Sequence, residues 1–341
     1  MQQAVPLVRV TRGPLDESVH RGSIAVTDDQ GQITRALGAA RKSVFARSCA
    51  KPIQALPVIA SGAAGKFGLT DKELACICAS HSGEIIHVEA VSRMLKQIGL
   101  DNAALQCGAQ PPYHKGAAAA LQAAGASPSP VHNNCSGKHA GMLAFAKHLG
   151  ASLDDYTKPE HPVQQAMLAA FAAFAGLSPR HIVLGIDGCG VPVYGLPLDK
   201  LAFAYARLGT PLEADESGLG AYTDACRRVI RAIAAYPDML AGSGRFDSAL
   251  IRATGGSVIG KMGAEGVFAA ALVGGGAGLA VKIEDGAERA LYPAVTEALF
   301  QLGWINEEQR TALDSFHRPT IRNWSGQEIG ALIPAFRLPS R

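Results

Sequence analysis

The sequence predicts an α+β protein in which a mostly antiparallel sheet is flanked by helices and accompanied by a helical region. Strand-like segments lie at residues 5–11 and 22–27 near the N-terminus and at 267–283 near the C-terminus, where two apolar stretches flank a run of glycines. Between about 88 and 240 the apolar residues recur with helical spacing. We therefore expect strands from both termini to form one sheet, within a single domain of residues 1–341.

Three local elements of this prediction lie beside candidate functional residues. A helix is expected to begin near Ser48 and to run toward Ile59, with Pro52 in its first turn, where proline is tolerated. Short apolar runs at 75–79 and 182–186 are typical of buried strands. Each of these two runs ends in a polar or glycine-containing segment, and strand ends are common places for functional side chains.

The charge and the cysteines exclude several classes of protein. The chain has 32 basic and 29 acidic residues, a net charge of +3, and no dense run of Lys and Arg, so a nucleic-acid partner is not expected. Its longest apolar stretch, 267–281, is too short to span a bilayer and contains three consecutive glycines, so no membrane association is expected. Seven scattered cysteines and the absence of a leader-like start favour a reducing, cytoplasmic environment.

The segment Ser48-Cys49-Ala50-Lys51 is a candidate catalytic motif. Side chains three residues apart share a helix face, so the hydroxyl of Ser48 and the amine of Lys51 can approach each other. A serine hydroxyl becomes nucleophilic when a base takes its proton, and a neutral lysine can be that base. The same spacing also occurs by chance on ordinary helices, so the motif needs support from elsewhere in the chain.

Three other segments give that support, and each also has a structural interpretation. Ser80 and its neighbours follow the apolar run at 75–79, where Ser80 or Ser82 could belong to a site or cap the next helix. Lys261, among glycines, could pair with Ser80 or keep Lys51 neutral by like-charge repulsion, or be a solvated loop lysine. Asp187 lies in a glycine turn, where it could contact a substrate ammonium or simply form the turn.

Five blocks in this order carry a family resemblance: Ser48-Cys49-Ala50-Lys51-Pro52, Ser80-His81-Ser82-Gly83-Glu84, His132-Asn133-Asn134-Cys135-Ser136-Gly137-Lys138-His139, Gly185-Ile186-Asp187-Gly188-Cys189-Gly190 and Gly260-Lys261-Met262-Gly263. Together they resemble the rhizobial-type L-asparaginases, the third structural class of asparaginase. The resemblance implies a fold similar to serine β-lactamases and glutaminases, and a homodimer. It also implies two serine–lysine tandems, Ser48 with Lys51 and Ser80 with Lys261.

The same resemblance implies a metal site, normally zinc, formed by Cys135, Lys138 and Cys189. Two separated cysteines can supply thiolates to zinc, whereas a lysine can do so only when it is deprotonated. By residue type His139 is the more usual third ligand. Adjacent helix residues point about 100° apart, so one of the two faces the metal, and the resemblance selects Lys138. The alternative is that Cys135 and Cys189 are unrelated buried thiols.

The implied activity is hydrolysis of L-asparagine to L-aspartate and ammonia. Ser48 is the predicted nucleophile and Lys51 its base, while Ser80 and Lys261 relay protons or tune Lys51. Which of the two serines becomes acylated stays open at this point, with Ser48 preferred.

Three further residues are predicted to bind the substrate: Arg47 at the α-carboxylate, Asp187 at the α-ammonium, and His139 at an unspecified position. Three alternatives remain. A glutaminase differs by only one methylene in its substrate, and a β-lactamase or peptidase would share the architecture. A non-catalytic zinc-binding protein of the same fold would bind zinc or asparagine without turnover.

Overall fold

The computed structural model describes residues 3–211 and 218–340, which form two compact units. Unit 1 takes its residues from Met1–Cys49, Leu196–Thr210 and Ala249–Arg341. Unit 2 takes its residues from Ala50–Gly195 and Pro211–Ser248. The single domain expected over 1–341 stays a prediction.

The described strands are β1 Val5–Arg12, β2 Leu15–Asp28, β3 Ile33–Leu37, β4 Ser43–Phe45, β5 Val183–Ile186, β6 Pro192–Pro197, β7 Val258–Gly263, β8 Val267–Leu272, β9 Ala277–Ile283, β10 Thr320–Arg322 and β11 Glu328–Pro334. The described α-helices are α1 Lys51–Gln54, α2 Leu56–Ala60, α3 Ala63–Lys66, α4 Asp71–Ile77, α5 Ile85–Gln97, α6 Lys115–Ala123, α7 Ser136–Leu149, α8 Pro162–Phe174, α9 Leu198–Gly209, α10 Thr223–Ala235, α11 Pro237–Leu240, α12 Phe246–Ala253, α13 Glu288–Gln301, α14 Glu307–Ala312 and α15 Asp314–His317. None of these helices is long and apolar enough to cross a membrane.

Unit 1 is built on one antiparallel sheet with the strand order β10-β11-β1-β2-β9-β8-β7, and β3 pairs with β2 beside this path. The first strand pairs with the last, with Val8 opposite Pro334, so both ends of the chain contribute to the sheet as predicted. The C-terminal glycine-rich stretch joins β8 to β9 as an antiparallel pair, also as predicted. The mostly antiparallel sheet flanked by helices is thus confirmed.

Helix α9 packs unusually close to the sheet of unit 1 because glycines remove the side chains between them. A Cβ atom on Gly278 of β9 would lie 2.0 Å from the carbonyl oxygen of Ala202 in α9. A Cβ on Gly209, at the end of α9, would lie 2.7 Å from the Cβ of Ala271 in β8. Strands β7 and β8 are buried at nearly every position, so both of their faces are covered; β8 is a continuous apolar run, whereas β7 includes Lys261.

Unit 2 is mainly helical, and glycines again set the distance between two of its helices. A Cβ on Gly137, in the first turn of α7, would lie 2.2 Å from the carbonyl oxygen of Cys76 in α4. One turn later, a Cβ on Gly141 would lie 2.8 Å from the side chain of Ile77. Close packing of α7 on α4 brings the first turn of α7 near the segment that follows α4, where Ser80 lies.

Two strand predictions in unit 2 need correction. Residues 75–79 are not a strand: 75–77 end helix α4, which begins after a capping box between Thr70 and Glu73. A five-residue apolar run is compatible with a buried helix turn as well as with a strand. Here the capping box at Thr70 starts a helix that includes the first three residues of the run. The run at 182–186 does contain strand β5, but it is exposed, with Ile186 81% accessible, because its hairpin partner β6 takes the buried position.

The helix predicted from Ser48 to Ile59 is divided into three pieces. A 3₁₀ turn at Arg47–Ala50 leads into α1, and α2 follows after Ala55. Pro52 and Pro57 each lie in the first turn of their helix, where the missing N–H group costs nothing. The motif therefore begins in a 3₁₀ turn, with Lys51 as the first residue of an α-helix.

Candidate active site

In unit 1 the segment around Ser48 is attached to strand β7 and helix α9. The thiol of Cys49 donates a hydrogen bond to the carbonyl oxygen of Lys261 at 3.0 Å, and the hydroxyl of Tyr205 donates to the carbonyl oxygen of Cys49 at 2.8 Å. Arg47, just before Ser48, has a φ of 48°, which is uncommon for a residue other than glycine and costs free energy. Ser48 itself is half-buried. Its turn is therefore held in place from both sides.

Strand β7 approaches this turn closely because it ends in glycine. A Cβ on Gly263 would lie 2.8 Å from the carbonyl oxygen of Ala46 and 3.1 Å from the Cβ of Arg47. Lys261, two residues earlier, is buried, and its ammonium group donates to the carbonyl oxygen of Met262 at 2.9 Å. The interpretation of Lys261 as a solvated loop lysine is therefore excluded.

In unit 2 a buried lysine and a buried serine are in direct contact. The Nζ atom of Lys51 donates to the hydroxyl oxygen of Ser80 at 2.9 Å and to the carbonyl oxygen of Ala79 at 2.6 Å. Lys51 is 1% and Ser80 4% exposed. The backbone N–H of Ser80 donates to the carbonyl oxygen of Leu240 at 3.0 Å, which fixes the serine relative to α11. Such a pair has the geometry required for proton transfer between an amine and a hydroxyl.

The residues after Ser80 form a rigid loop stabilised by hydrogen bonds. The backbone N–H of Gly83, whose φ is 70°, donates to Nδ1 of His81 at 3.2 Å. Ser82 donates to the carbonyl oxygen of Ala241 at 2.8 Å. Helix α5 then begins after Glu84, so capping of that helix by Ser80 or Ser82 is excluded.

Glu84 ties this loop to the segment at 242–245. Its carboxylate accepts hydrogen bonds from the backbone N–H of Ser243, at 2.8 Å, and from the Ser243 hydroxyl. Burial opposes ionisation, but these hydrogen bonds lower the pKa of Glu84. A Cβ on Gly242 would lie 2.4 Å from a carboxylate oxygen of Glu84, so only glycine fits between the two segments.

The first turn of α7 and the turn after β5 bring the three predicted metal ligands together. The Nζ atom of Lys138 lies 3.1 Å from Sγ of Cys189, and the thiols of Cys135 and Cys189 are hydrogen-bonded. The hydrogen bond from Cys135, with the charge of Lys138, lowers the pKa of Cys189 to about 5. The same hydrogen bond, with burial, raises the pKa of Cys135 to about 12. The hydrogen bond between the two thiols and the charge of Lys138 therefore favour a negative charge on the sulfur pair.

This donor set fits zinc. Two sulfur atoms and one amine are ligands that zinc accepts, and the interpretation of Cys135 and Cys189 as unrelated thiols is excluded by their contact. Burial by itself would lower the pKa of Lys138, but the two neighbouring sulfur atoms raise it above its ordinary value. Metal binding therefore has to displace a proton from the amine. Within residues 3–211 and 218–340 no group of three or more His, Cys, Asp or Glu side chains is arranged to hold a metal. Metal binding itself stays a prediction.

Two predicted substrate contacts lie around this cluster in unit 2. His139 is fully buried next to Lys138, and burial, followed by the charge of Lys138, lowers its pKa to about 3. Asp187 is half-buried in the turn after β5, where its carboxylate accepts a hydrogen bond from the N–H of Gly188 at 2.8 Å. The third predicted contact, Arg47, belongs to unit 1.

Unit 1 therefore holds Arg47, Ser48 and Lys261, whereas unit 2 holds the other seven predicted site residues. Two tyrosines had no signal in the sequence because each stands alone outside any motif: Tyr156, which contacts His139, and Tyr205, which contacts Cys49 beside Ser48. A cavity of about 830 Å³ lies elsewhere in unit 1, and none of the predicted site residues lines it.

Comparison with known families identifies the class of this protein. A family model described as L-asparaginase II matches residues 8–334, so the chain belongs to the L-asparaginase II family. This confirms the family inferred from the five sequence blocks. No curated protein sequence matches the chain.

Solved structures with a partly similar backbone fold have low sequence identity to this protein. Mglu in its native form with 4.3 M NaCl has a TM-score of 0.44 and 14% identity, over 84% of this chain and 62% of that one. A second native Mglu structure has a TM-score of 0.46 and 14% identity, over 84% and 65%. A beta-lactamase from Mycobacterium bovis has a TM-score of 0.40 and 14% identity, over 82% and 93%. The chain thus spans less than two thirds of the length of Mglu, and likeness at this level says nothing about the site.

Proposed function

We propose that this protein is an L-asparaginase that hydrolyses L-asparagine to L-aspartate and ammonia through a serine–lysine mechanism. The observation that carries the proposal is the family match over residues 8–334, together with the buried contact between Lys51 and Ser80 inside one of the matched blocks. An amine in contact with a hydroxyl, shielded from water, is suited to moving the protons that acyl transfer requires.

In the proposed reaction Ser48 is the nucleophile. Lys51, in its neutral form, takes the proton from the Ser48 hydroxyl while that oxygen attacks the side-chain amide carbon of asparagine. Backbone N–H groups near the start of the helix stabilise the oxyanion. The C–N bond breaks, and ammonia leaves with a proton from the lysine. Water then hydrolyses the aspartyl ester: Lys51 takes a proton from the attacking water and returns it to the Ser48 oxygen as the acyl–oxygen bond breaks.

Ser80 and Lys261 have supporting roles in this proposal. The hydroxyl of Ser80, bonded to Lys51, relays protons between the amine and the leaving group. Lys261, whose backbone is bonded to Cys49, tunes the charge around the nucleophile. Because Lys51 contacts Ser80 directly, Ser80 is also the alternative nucleophile, and it must be tested alongside Ser48.

The substrate and the metal complete the proposal. Arg47 binds the α-carboxylate, Asp187 the α-ammonium, and His139 an oxygen of the substrate. Zinc, held by Cys135, Lys138 and Cys189, orders the first turn of α7 and the turn after β5 when it is bound. We further propose a cytoplasmic homodimer with no nucleic-acid or membrane partner.

The test is ammonia release from L-asparagine by the zinc-loaded protein and by its Ser48→Ala and Ser80→Ala variants. Intact-mass measurement after acid quenching shows which protein carries an aspartyl ester. Ser92→Ala, on the exposed face of α5, is the control. Loss of turnover and of the ester only in Ser48→Ala supports Ser48 as the nucleophile. An ester that persists in Ser48→Ala and is lost in Ser80→Ala moves the nucleophile to Ser80, and a parent without turnover contradicts the asparaginase proposal.

L-Glutamine, tested in parallel, measures the discrimination between asparaginase and glutaminase activity. One methylene is worth about 1–3 kcal/mol in a binding pocket, so we expect asparagine to be preferred about 10- to 200-fold. Equal turnover of both substrates would favour the glutaminase alternative.

A further inference from the structure

A tyrosine outside every sequence motif is hydrogen-bonded to His139 in the interior of unit 2. The hydroxyl oxygen of Tyr156 lies 2.8 Å from Nδ1 of His139, and the two rings meet edge to face with centroids 5.5 Å apart. Both side chains are fully buried. Burial raises the pKa of Tyr156, so its hydroxyl stays protonated.

The proton on this hydrogen bond can be assigned from the other partner of Tyr156. The backbone N–H of Gln106 donates to the Tyr156 oxygen at 2.8 Å, and a backbone N–H can only donate. The hydroxyl proton of Tyr156 must then point elsewhere. Nδ1 of His139 is the acceptor that the described chain provides for it. If Nδ1 carried the proton instead, the Tyr156 hydroxyl would be a buried donor without an acceptor, at a cost of about 1–3 kcal/mol.

The assignment determines whether the other ring nitrogen donates or accepts a hydrogen bond. When Nδ1 accepts, the proton of the neutral imidazole is on Nε2, which is then a hydrogen-bond donor. Within residues 3–211 and 218–340 this buried Nε2 has no hydrogen-bond partner. Buried polar atoms in folded proteins almost always have one, in the protein itself, in an ordered water or in a bound ligand, so this N–H is open to an oxygen of a ligand.

We propose that Tyr156 is a positioning residue that holds His139 in its Nε2–H tautomer, so that His139 donates a hydrogen bond to a carboxylate or amide oxygen of the bound amino acid and is not a metal ligand. The identity of the ligand rests on the proposed function. The assignment of the tautomer does not depend on it. It explains why His139, the more usual zinc ligand by residue type, leaves that role to Lys138: a protonated nitrogen has no lone pair for a metal.

The tautomer can be observed directly by NMR on the zinc-loaded full chain labelled with ¹⁵N-histidine. Long-range ¹⁵N–¹H correlations distinguish a protonated Nε2 from a protonated Nδ1, and His139→Gln identifies the His139 signals by their loss. We expect a neutral ring protonated on Nε2, and a shift of the Nε2 signals on addition of L-aspartate. In Tyr156→Phe we expect the single tautomer to be lost and KM for L-asparagine to rise about tenfold, more than kcat falls.

Tyr194→Phe is the matched control, because Tyr194 is equally buried in unit 2 but packs against Phe171. It should leave the His139 signals unchanged. A ring protonated on Nδ1, or an Nε2 without a proton in the zinc-loaded protein, would overturn the proposal without any variant. A Tyr156→Phe spectrum identical to that of the parent would also overturn it. The same holds if the protein is active and its Nε2 signals do not shift on addition of L-aspartate. A parent that releases no ammonia contradicts the proposed function instead, while the tautomer is still measured.

Discussion

The Nζ atom of Lys51 lies 2.9 Å from the hydroxyl oxygen of Ser80, although 29 residues separate the two in the chain. The contact joins the first two sequence blocks of the family inside unit 2. It pairs the lysine of the first motif with the serine of the second, whereas the sequence suggested that Lys51 pairs with Ser48 and Ser80 with Lys261. Both of those pairings stay predictions, and the Lys51–Ser80 contact is a third pairing that the motifs did not suggest.

Removal of the amine should therefore abolish turnover while the fold is retained. Lys51→Met keeps much of the side-chain volume but cannot move protons, so we expect kcat/KM for L-asparagine to fall by at least about 100-fold. Ammonia release measures the effect, and Lys72→Met on α4 is the control. Thermal unfolding of both variants shows whether they remain folded. Unchanged ammonia release by folded Lys51→Met would exclude a catalytic role for this lysine.

Zinc removal is expected to weaken substrate binding more than the chemical step. The proposed ligands lie beside His139 and Asp187, so loss of the metal should disorder these two contacts and raise KM. Steady-state kinetics with and without a chelator, and with Cys189→Ser, measure this effect. Cys226→Ser, a buried thiol on α10, serves as the comparison. An unchanged KM with a collapsed kcat would contradict an ordering role for zinc.

Two stacked histidines are expected to make the stability of the protein sensitive to mild acid. His81 and His87 stack with ring centroids 4.9 Å apart. Nδ1 of each accepts from a backbone N–H, and Nε2 donates to the Ser136 hydroxyl or to the Asp238 carbonyl oxygen, so both neutral rings are satisfied. Burial lowers the pKa of both, and for His81 the neighbouring His87 adds to the effect.

The sign of the pH dependence follows from these lowered pKa values. The unfolded chain takes up protons near the ordinary histidine pKa of about 6.5, and the folded chain does not. Their stability contribution is therefore complete above about pH 6.5 and decreases as the pH falls toward the folded pKa values, by about 1.4 kcal/mol per pH unit for each ring. Urea unfolding between pH 7.5 and 5 should show a smaller slope for His87→Gln. The exposed His181→Gln should retain the parental slope, and equal slopes in all three proteins would refute the assignment.

The contact between α7 and α4 should be intolerant of a single methyl group. Because a Cβ on Gly137 would lie 2.2 Å from the Cys76 carbonyl oxygen, Gly137→Ala forces the two helices apart, at a cost of about 1–3 kcal/mol. Gly65→Ala, in α3, meets no atom within 4 Å and should be neutral or stabilising by up to about 1 kcal/mol. Thermal and urea unfolding measure both effects. Equal stability of the two variants would mean that α7 can shift freely, and the placement of Lys138 and His139 would then lose its structural basis.

The sequence alone determined the class of fold and the family, and it supplied the candidate residues of the site. Strand patterns near both ends predicted a sheet with contributions from both termini, and the β1–β11 pair confirms it. The prediction was possible because the alternation of side chains along a strand can be seen in a few consecutive residues. The five blocks predicted the family, because they combine rare residue types in a definite order. The turn chemistry at Gly274–Gly278 likewise predicted the β8–β9 pair.

Only the tertiary structure decided which of these residues meet. Residues 75–79 were compatible with a strand or a helix, and the cap at Thr70 selected the helix through contacts outside the run itself. The contact of Lys138 with Cys189 spans 51 residues, and the contact of His139 with Tyr156 is made by a tyrosine without any local pattern. Periodicity and motifs report interactions over a few residues, whereas these contacts depend on how closely glycine-containing helices pack, which is a property of the folded chain.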